Sequence, residues 1–284
     1  MAADVIALPR ARGAARIRVE HRDGRSRLAD LYQSGTLRLR LPRTADPELV
    51  GTLINTAGGL TGGDALAVDV EVGADAGLTV ATQSAEKLYR AGQGHARVDV
   101  RLRVGAKGRL AWLPRETILF DGSALRRTLH ADLEPGARLL AVEAWVAGRE
   151  AMGERLARCD VRDDWRVRVD GGLAHAEAFR LPGEASERRL ASPAGWNNMR
   201  ALATVLLVAP DASALIAGAR EIVGGLGAVD AWEGPHARLV ARLAAPDHLA
   251  LQRRLVPLLA VLRRHLGMGM GDDPRAALPL VWSV

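Results

Sequence analysis

Two glutamates stand where the surrounding sequence calls for apolar side chains. Glu143 interrupts the apolar run 139–146, and Glu177 lies in segment 174–179, where alternation sets it opposite Ala176 and Ala178. A carboxylate in such surroundings is costly unless it is hydrogen-bonded or meets a cation. A partner arginine is one explanation, and this chain has many arginines. Acid–base chemistry by a carboxylate pair, as in a β-sandwich hydrolase, is another. Other reactive constellations are missing: the sequence has no G-x-S-x-G, no H-E-x-x-H, no C-x-x-C and no histidine pair at metal-ligand spacing. The seven histidines are scattered. Cys159, the sole cysteine, excludes an intrachain disulfide, has no histidine nearby to activate it, and reads as a small, partly buried residue.

Residues 55–64 read Asn-Thr-Ala-Gly-Gly-Leu-Thr-Gly-Gly-Asp. Two glycine pairs this close predict a tight connection with special backbone angles, approached closely by other backbone or by a partner group. It is not a phosphate loop, because Gly63 is followed by Asp64-Ala65 instead of Lys-Ser/Thr. G-x-G-x-x-G spacing is missing too, and the next segment alternates like a strand. For the glycines alone, a structural turn is the simplest reading.

The elements around these residues are mostly strands. Segment 66–72 alternates, with Leu66, Val68, Val70 and Val72 on one face. Segment 96–104 is the clearest case: Val98, Val100, Leu102 and Val104 face one way and Arg97, Asp99, Arg101 and Arg103 the other. Further strands are predicted at 16–20, 27–33, 36–41, 78–82, 109–113, 128–133, 165–169 and 174–179. Segment 138–146 is apolar on both faces apart from Glu143, which predicts a central strand covered on both sides. Gly/Asp/Pro signals at 73–77, 105–108, 134–136 and 170–172 punctuate the strands and argue for mainly antiparallel pairing. Helices come late: Asp211 is a candidate cap for 212–223, and Asp247 for a helix running to Gly267. On the second, Leu255, Leu258, Leu259, Leu262 and Leu266 form a stripe flanked by Arg253, Arg254, Arg263 and Arg264. Packing on the sheet is favoured for that stripe over a partner-facing role.

The expected fold is mainly β, a single β-rich domain of many short antiparallel and mixed strands with a few C-terminal helices. A chain of 284 residues, 48% hydrophobic, can bury a sizeable core. Its formal charge of +6 comes from arginines interleaved with acids, and only Lys87 and Lys107 are lysines. Aromatic residues make up 4%, with no aromatic-studded basic stripe, which argues against nucleic-acid binding. No secretory signal and no membrane-spanning apolar run is visible, so a cytoplasmic location is expected.

Three further blocks complete a pattern. Residues 81–90 read Ala-Thr-Gln-Ser-Ala-Glu-Lys-Leu-Tyr-Arg, 112–122 Trp-Leu-Pro-Arg-Glu-Thr-Ile-Leu-Phe-Asp-Gly, and 148–154 Gly-Arg-Glu-Ala-Met-Gly-Glu. In this order and at these separations, the four blocks resemble the urease accessory protein D family, UreD, most strongly over the first two-thirds of the chain. Two places depart from the family pattern. Ala81-Thr82 stands where paired threonines are usual, and Pro279-Leu280-Val281-Trp282 where Pro-Arg-Ile-Trp is.

The resemblance implies a UreD-like domain over residues 1–284 that is not an enzyme but a urease maturation factor. It implies a scaffold that contacts apo-urease and UreF, with the GTPase UreG reached through UreF. It also implies an internal water-filled passage for nickel in transit, with no tightly bound cofactor. Asp64, Glu143 and Glu177 are the carboxylates expected along that passage, with Thr82, Gln83 and Lys87 as polar residues near it. Oxygen ligands suit transit, because thiolate or imidazole would hold nickel more tightly. A carboxylate hydrolase using Glu143 and Glu177, and a protein-interaction module without metal traffic, are the alternatives.

Overall fold

The computed structural model describes residues 10–43, 47–149, 152–269 and 277–282. In chain order the strands are β1 (Arg12–Arg22), β2 (Arg25–Gly35), β3 (Leu37–Arg40), β4 (Leu49–Asn55), β5 (Ala65–Val72), β6 (Gly77–Thr82), β7 (Glu86–Leu88), β8 (Ala96–Val104) and β9 (Arg109–Leu113). Then follow β10 (Thr117–Leu119), β11 (Ser123–Leu133), β12 (Arg138–Ala147), β13 (Cys159–Val169) and β14 (Gly172–Leu181). The remainder is α1 (Ser186–Ala191), β15 (Ala201–Val208), α2 (Ile216–Val223), β16 (Gly227–Trp232), β17 (Arg238–Ala245) and α3 (His248–His265).

From β4 to β13 the long strands alternate between two facing sheets. One sheet runs β14-β13-β11-β8-β5-β1-β2, the other β16-β17-β15-β12-β9-β6-β4-β3, with β10 bridging β12 and β7. Each turn of chain therefore lays one strand on each sheet and stacks on the previous turn, which is a β-solenoid. The central ladders are consequently parallel: β1-β5-β8-β11-β13 in one sheet and β4-β6-β9-β12 in the other. This corrects the expectation of mainly antiparallel pairing, which holds only for the flanking strands β2, β3, β14, β15, β16 and β17. The turn signals at 73–77, 105–108 and 134–136 mark solenoid corners, and only 170–172 is a hairpin, joining β13 to β14. Gly105 N–H bonds to Val72 O and Glu134 N–H to Val104 O, so the corners at 73–77, 105–108 and 134–136 stack on one another.

Between the sheets lies an apolar core that includes Val70, Leu102, Leu129, Val167 and Leu139. On the outer side of β12, β15 and β17, a second core packs α2 and α3 on the sheet. The α3 stripe predicted from sequence is part of it, with Leu255, Leu258, Leu259 and Leu262 fully buried. Asp247 caps α3 as expected, accepting from Ala250 N–H at 2.7 Å. Asp211 makes no side-chain cap: residues 212–215 form a 3-10 turn, and its carboxylate turns to His265 and Arg138. Arg263, expected to flank the stripe, is buried instead against Glu48 at 2.8 Å.

Candidate functional site

Three neighbouring strands each place one charged residue at a core-facing position. On β11 the inward set runs Leu125, Arg127, Leu129; on β13 it runs Val161, Asp163, Trp165; on β12 it runs Ala141, Glu143, Trp145. Arg127 and Asp163 are register partners, and Glu143 reaches them from the opposite sheet. The Arg127 guanidinium forks onto Asp163, with Nε to Oδ1 and Nη2 to Oδ2 both at 3.0 Å. Its Nη1 lies 2.8 Å from Glu143 Oε2, and its plane lies over the Trp145 ring at 4.5 Å. Thr117 donates its hydroxyl to Glu143 Oε1 at 3.2 Å, and Trp165 donates its indole N–H to Asp163 at 3.1 Å.

Arg127, Glu143, Thr117 and Trp165 border a partly enclosed cavity of about 180 Å³ between the sheets, room for several waters. Its wall includes leucines, valines and the rings of Trp112 and Trp165. It also carries Glu143, Arg127 and Thr117 together with Asn55, Thr82, Gln83, Glu86 and Lys87. Burial pushes the Glu143 carboxyl up to about 7, against the pull of Arg127 and with a further push from Asp163. Burial likewise raises Glu86 to about 7, and the Asn55 amide, 3.1 and 3.2 Å from its two oxygens, only partly opposes this. Burial also works against the Arg127 charge, but Asp163 and Glu143 outweigh it, so that side chain stays a cation. The cavity wall thus holds two carboxyls raised toward neutral pH, beside the cations of Arg127, Arg115 and Lys87.

Of the six residues singled out from sequence, the cavity gathers Glu143, Thr82, Gln83 and Lys87. Asp64 and Glu177 sit outside its lining. Asp64 is buried, and its two oxygens accept Ala11 N–H and Thr61 N–H, both at 2.8 Å, tying the glycine-rich connection to the chain entering β1. Glu177 pairs with Arg242 of β17 and lies 3.7 Å from His175. Burial would raise its carboxyl, yet His175 and Arg242 outweigh burial and hold it below the usual value. A hydrolase built on Glu143 and Glu177 would need both in one cleft, and Glu177 takes no part in the cavity wall. Cys159 is buried and 3.2 Å from Ser123 Oγ, and burial pushes its thiol up to about 12, so it has little thiolate at neutral pH. Among the described residues no group of three or more His, Cys, Asp or Glu side chains is placed to hold a metal ion.

Arg127, Asp163 and Glu86 were not singled out from sequence. The signal for the first two was present, a single charge inside each of two otherwise apolar alternations, Leu125-Arg127-Leu129 and Val161-Asp163-Trp165. Glu86 sits inside a recognised block, but nothing in its neighbours marks it as buried.

The four sequence blocks are neighbouring corners at one end of the solenoid. Leu60 N–H bonds to Lys87 O and Tyr89 N–H returns to Leu60 O; Glu86 N–H bonds to Glu116 O, and Gly148 N–H to Leu119 O. The glycines at 58–63 are needed for this stacking. A Cβ on Gly59, at φ +146, would fall 2.4 Å from the Tyr89 ring and 2.6 Å from Lys87 O; one on Gly62 would fall 2.1 Å from Gln93 O.

Fold and cavity define a two-sheet β-solenoid whose interior carries a set of polar residues at one end of its coils. The family model described as UreD urease accessory protein matches residues 11–278. The urease accessory protein UreD of Mesorhizobium japonicum is 48% identical over 276 residues, covering 97% of this chain and 95% of that protein. UreD 1 of Brucella abortus is 44% identical over 280 residues, covering 98% and 96%. The chain belongs to the UreD family of urease accessory proteins, and as such it is an accessory protein and not an enzyme. No helix among the described residues is long and apolar enough to cross a membrane.

Proposed function

We propose that, within the urease maturation its family serves, this chain is a cytoplasmic scaffold that binds apo-urease and UreF, with the GTPase UreG held through UreF. Nickel in transit to the urease metallocentre crosses the cavity between the two sheets. The observation that carries this reading is the set of polar residues on a largely apolar cavity wall, Glu143 and Glu86 together with Thr82, Gln83 and Lys87. A divalent cation entering there meets carboxyl and carbonyl oxygens and water, a ligand set weak enough to release it. Arg127 holds Glu143 in place and repels a second cation. Asp64 and Glu177 serve the passage from its flanks: Asp64 fixes the glycine-rich corner, and Glu177 is the carboxylate of a neighbouring ion pair. No cofactor is held tightly.

The test is the nickel content of urease matured in cells carrying the double variant Glu86→Gln/Glu143→Gln, with co-elution of urease and UreF checked in parallel. Retained co-elution with nickel content reduced severalfold is expected. Unchanged nickel content with the complex intact would leave a scaffold without metal traffic.

A further inference from the structure

At the other end of the same strands lies a cleft with a different chemistry. Arg109 and Arg138 open β9 and β12 as register partners, side by side on the face that carries α3. Each donates one N–H to a carbonyl at the end of that helix: Arg109 Nη1 to Gly267 O at 2.9 Å, and Arg138 Nη1 to His265 O at 3.1 Å. Capping the helix accounts for that much. A guanidinium has five N–H groups, however, and most remain unused. Arg138 has Asp211 at 3.4 Å, whereas the half-buried Arg109 has no carboxylate partner among the described residues. Its other nitrogens lie over Gly77, the next register position on β6, where a Cβ would sit 3.5 Å from Nη2 and 3.1 Å from Glu48 Cβ. Lys107, one of the only two lysines of the chain, stands at the tip of the adjoining corner at φ +57. With His21, Asp75 and His265 these residues line an open cleft of about 670 Å³.

Three fixed positive charges outnumber the carboxylates of Asp75 on the cleft wall and Asp211 beside Arg138, which leaves the cleft positive. Adjacent like charges in one ladder repel unless a counter-charge sits between them. We propose that this cleft binds a small oxyanion of the phosphate or carboxylate class, gripped by the free edges of Arg109 and Arg138 with Lys107 closing over it. Planar guanidinium forks match the oxygen spacing of both anions. The anion arrives either as a free ion or as a carboxylate on an acidic segment of a protein partner. The site does not depend on the nickel passage, since it shares no residue with the cavity.

The full-length protein is titrated by calorimetry with inorganic phosphate and, separately, with a tetraglutamate peptide, at constant ionic strength with chloride as the control. Saturable binding of at least one is expected. Phosphate alone would identify a free ion as the source, and tighter peptide binding a partner's carboxylates. Lys107→Gln, at an exposed position, is expected to leave the fold unchanged and weaken binding about fivefold, and Arg109→Gln to weaken it about tenfold or more. Lack of saturable binding of either probe overturns the proposal. So does wild-type affinity in Lys107→Gln, which decides the matter even if Arg109→Gln fails to fold.

Discussion

Two buried ionic clusters lie on opposite faces of the same sheet, and they differ in what they border. On the outer face, beneath α3, Arg263 donates to Glu48 and Ala277 O at 2.8 and 2.6 Å and to Thr79 Oγ1 at 3.1 Å, while Glu48 also accepts Gly269 N–H at 2.8 Å. Both side chains are about 1% exposed, and their partners tie four separate segments together. On the inner face, Arg127 and Glu143 border a cavity with Asp163 paired behind them, and the Glu143 carboxyl is raised to about 7. A buried pair enclosed by close packing can only hold the fold together. One that faces a void can exchange a proton and so change its charge state.

The sharpest way to test that contrast is to remove each arginine. Arg263→Met leaves Glu48 charged and buried with no route to water, and a loss of about 3–5 kcal/mol is expected from urea unfolding. Arg127→Met leaves both Asp163 and Glu143 without their cation and is expected to cost about 3–5 kcal/mol at pH 8 but less at pH 6, because Glu143 can take up a proton. Equal losses at both pH values would break the comparison.

Glu86 gives a third, smaller reading. Its carboxyl titrates near 7 in the folded protein against 4.5 in the unfolded chain, so between those values the folded state binds more proton. Stability from this group is therefore complete below about 4.5, falls as pH rises, and is fully lost above about 7. Glu86→Gln removes the effect. The variant is expected to match the wild type at pH 4.5 and to exceed it by on the order of 2 kcal/mol at pH 8, in paired denaturation curves. The smallest effect belongs to Thr117→Val, which deletes one hydroxyl donor to Glu143 while Arg127 stays. About 1 kcal/mol is expected, detectable as a modest shift in the unfolding midpoint.

Much of the local structure was legible in the residues. The alternation at 96–104 gives β8 its observed limits, and 109–113 those of β9. The doubly apolar run at 138–146 is β12, covered on one face by the facing sheet and on the other by α3. Strands β11 and β13 extend further toward their N-termini than predicted. Their first halves are rich in charge, and those charges are satisfied across strands, as Arg126 is by Asp160 and Arg180 by Asp164. Such partners are distant in sequence. The candidate site was half legible: Glu143 stood out as a charge in an apolar run, whereas the Arg127 and Asp163 that answer it come from two other strands.

The sequence by itself determined most of the long strands up to β14, which of their faces are apolar, where the corners fall, where α3 begins, and the family to which the chain belongs; it left β4, β7, β10 and β15 to β17 unread. The features it did determine depend on side-chain period, turn chemistry and capping, all of which act over a few residues. Only the tertiary structure decided that successive strands alternate between sheets and pair in parallel, because alternation is the same whichever way a neighbour runs. It also decided that Glu143, Glu86 and Thr82 share one cavity wall while Asp64 and Glu177 do not, since that depends on which coil stacks on which. Strand starts at residues 49, 77, 109 and 138 are unevenly spaced, so the coil leaves no fixed period to read, and the stacking emerges only when the backbone hydrogen bonds between turns are made.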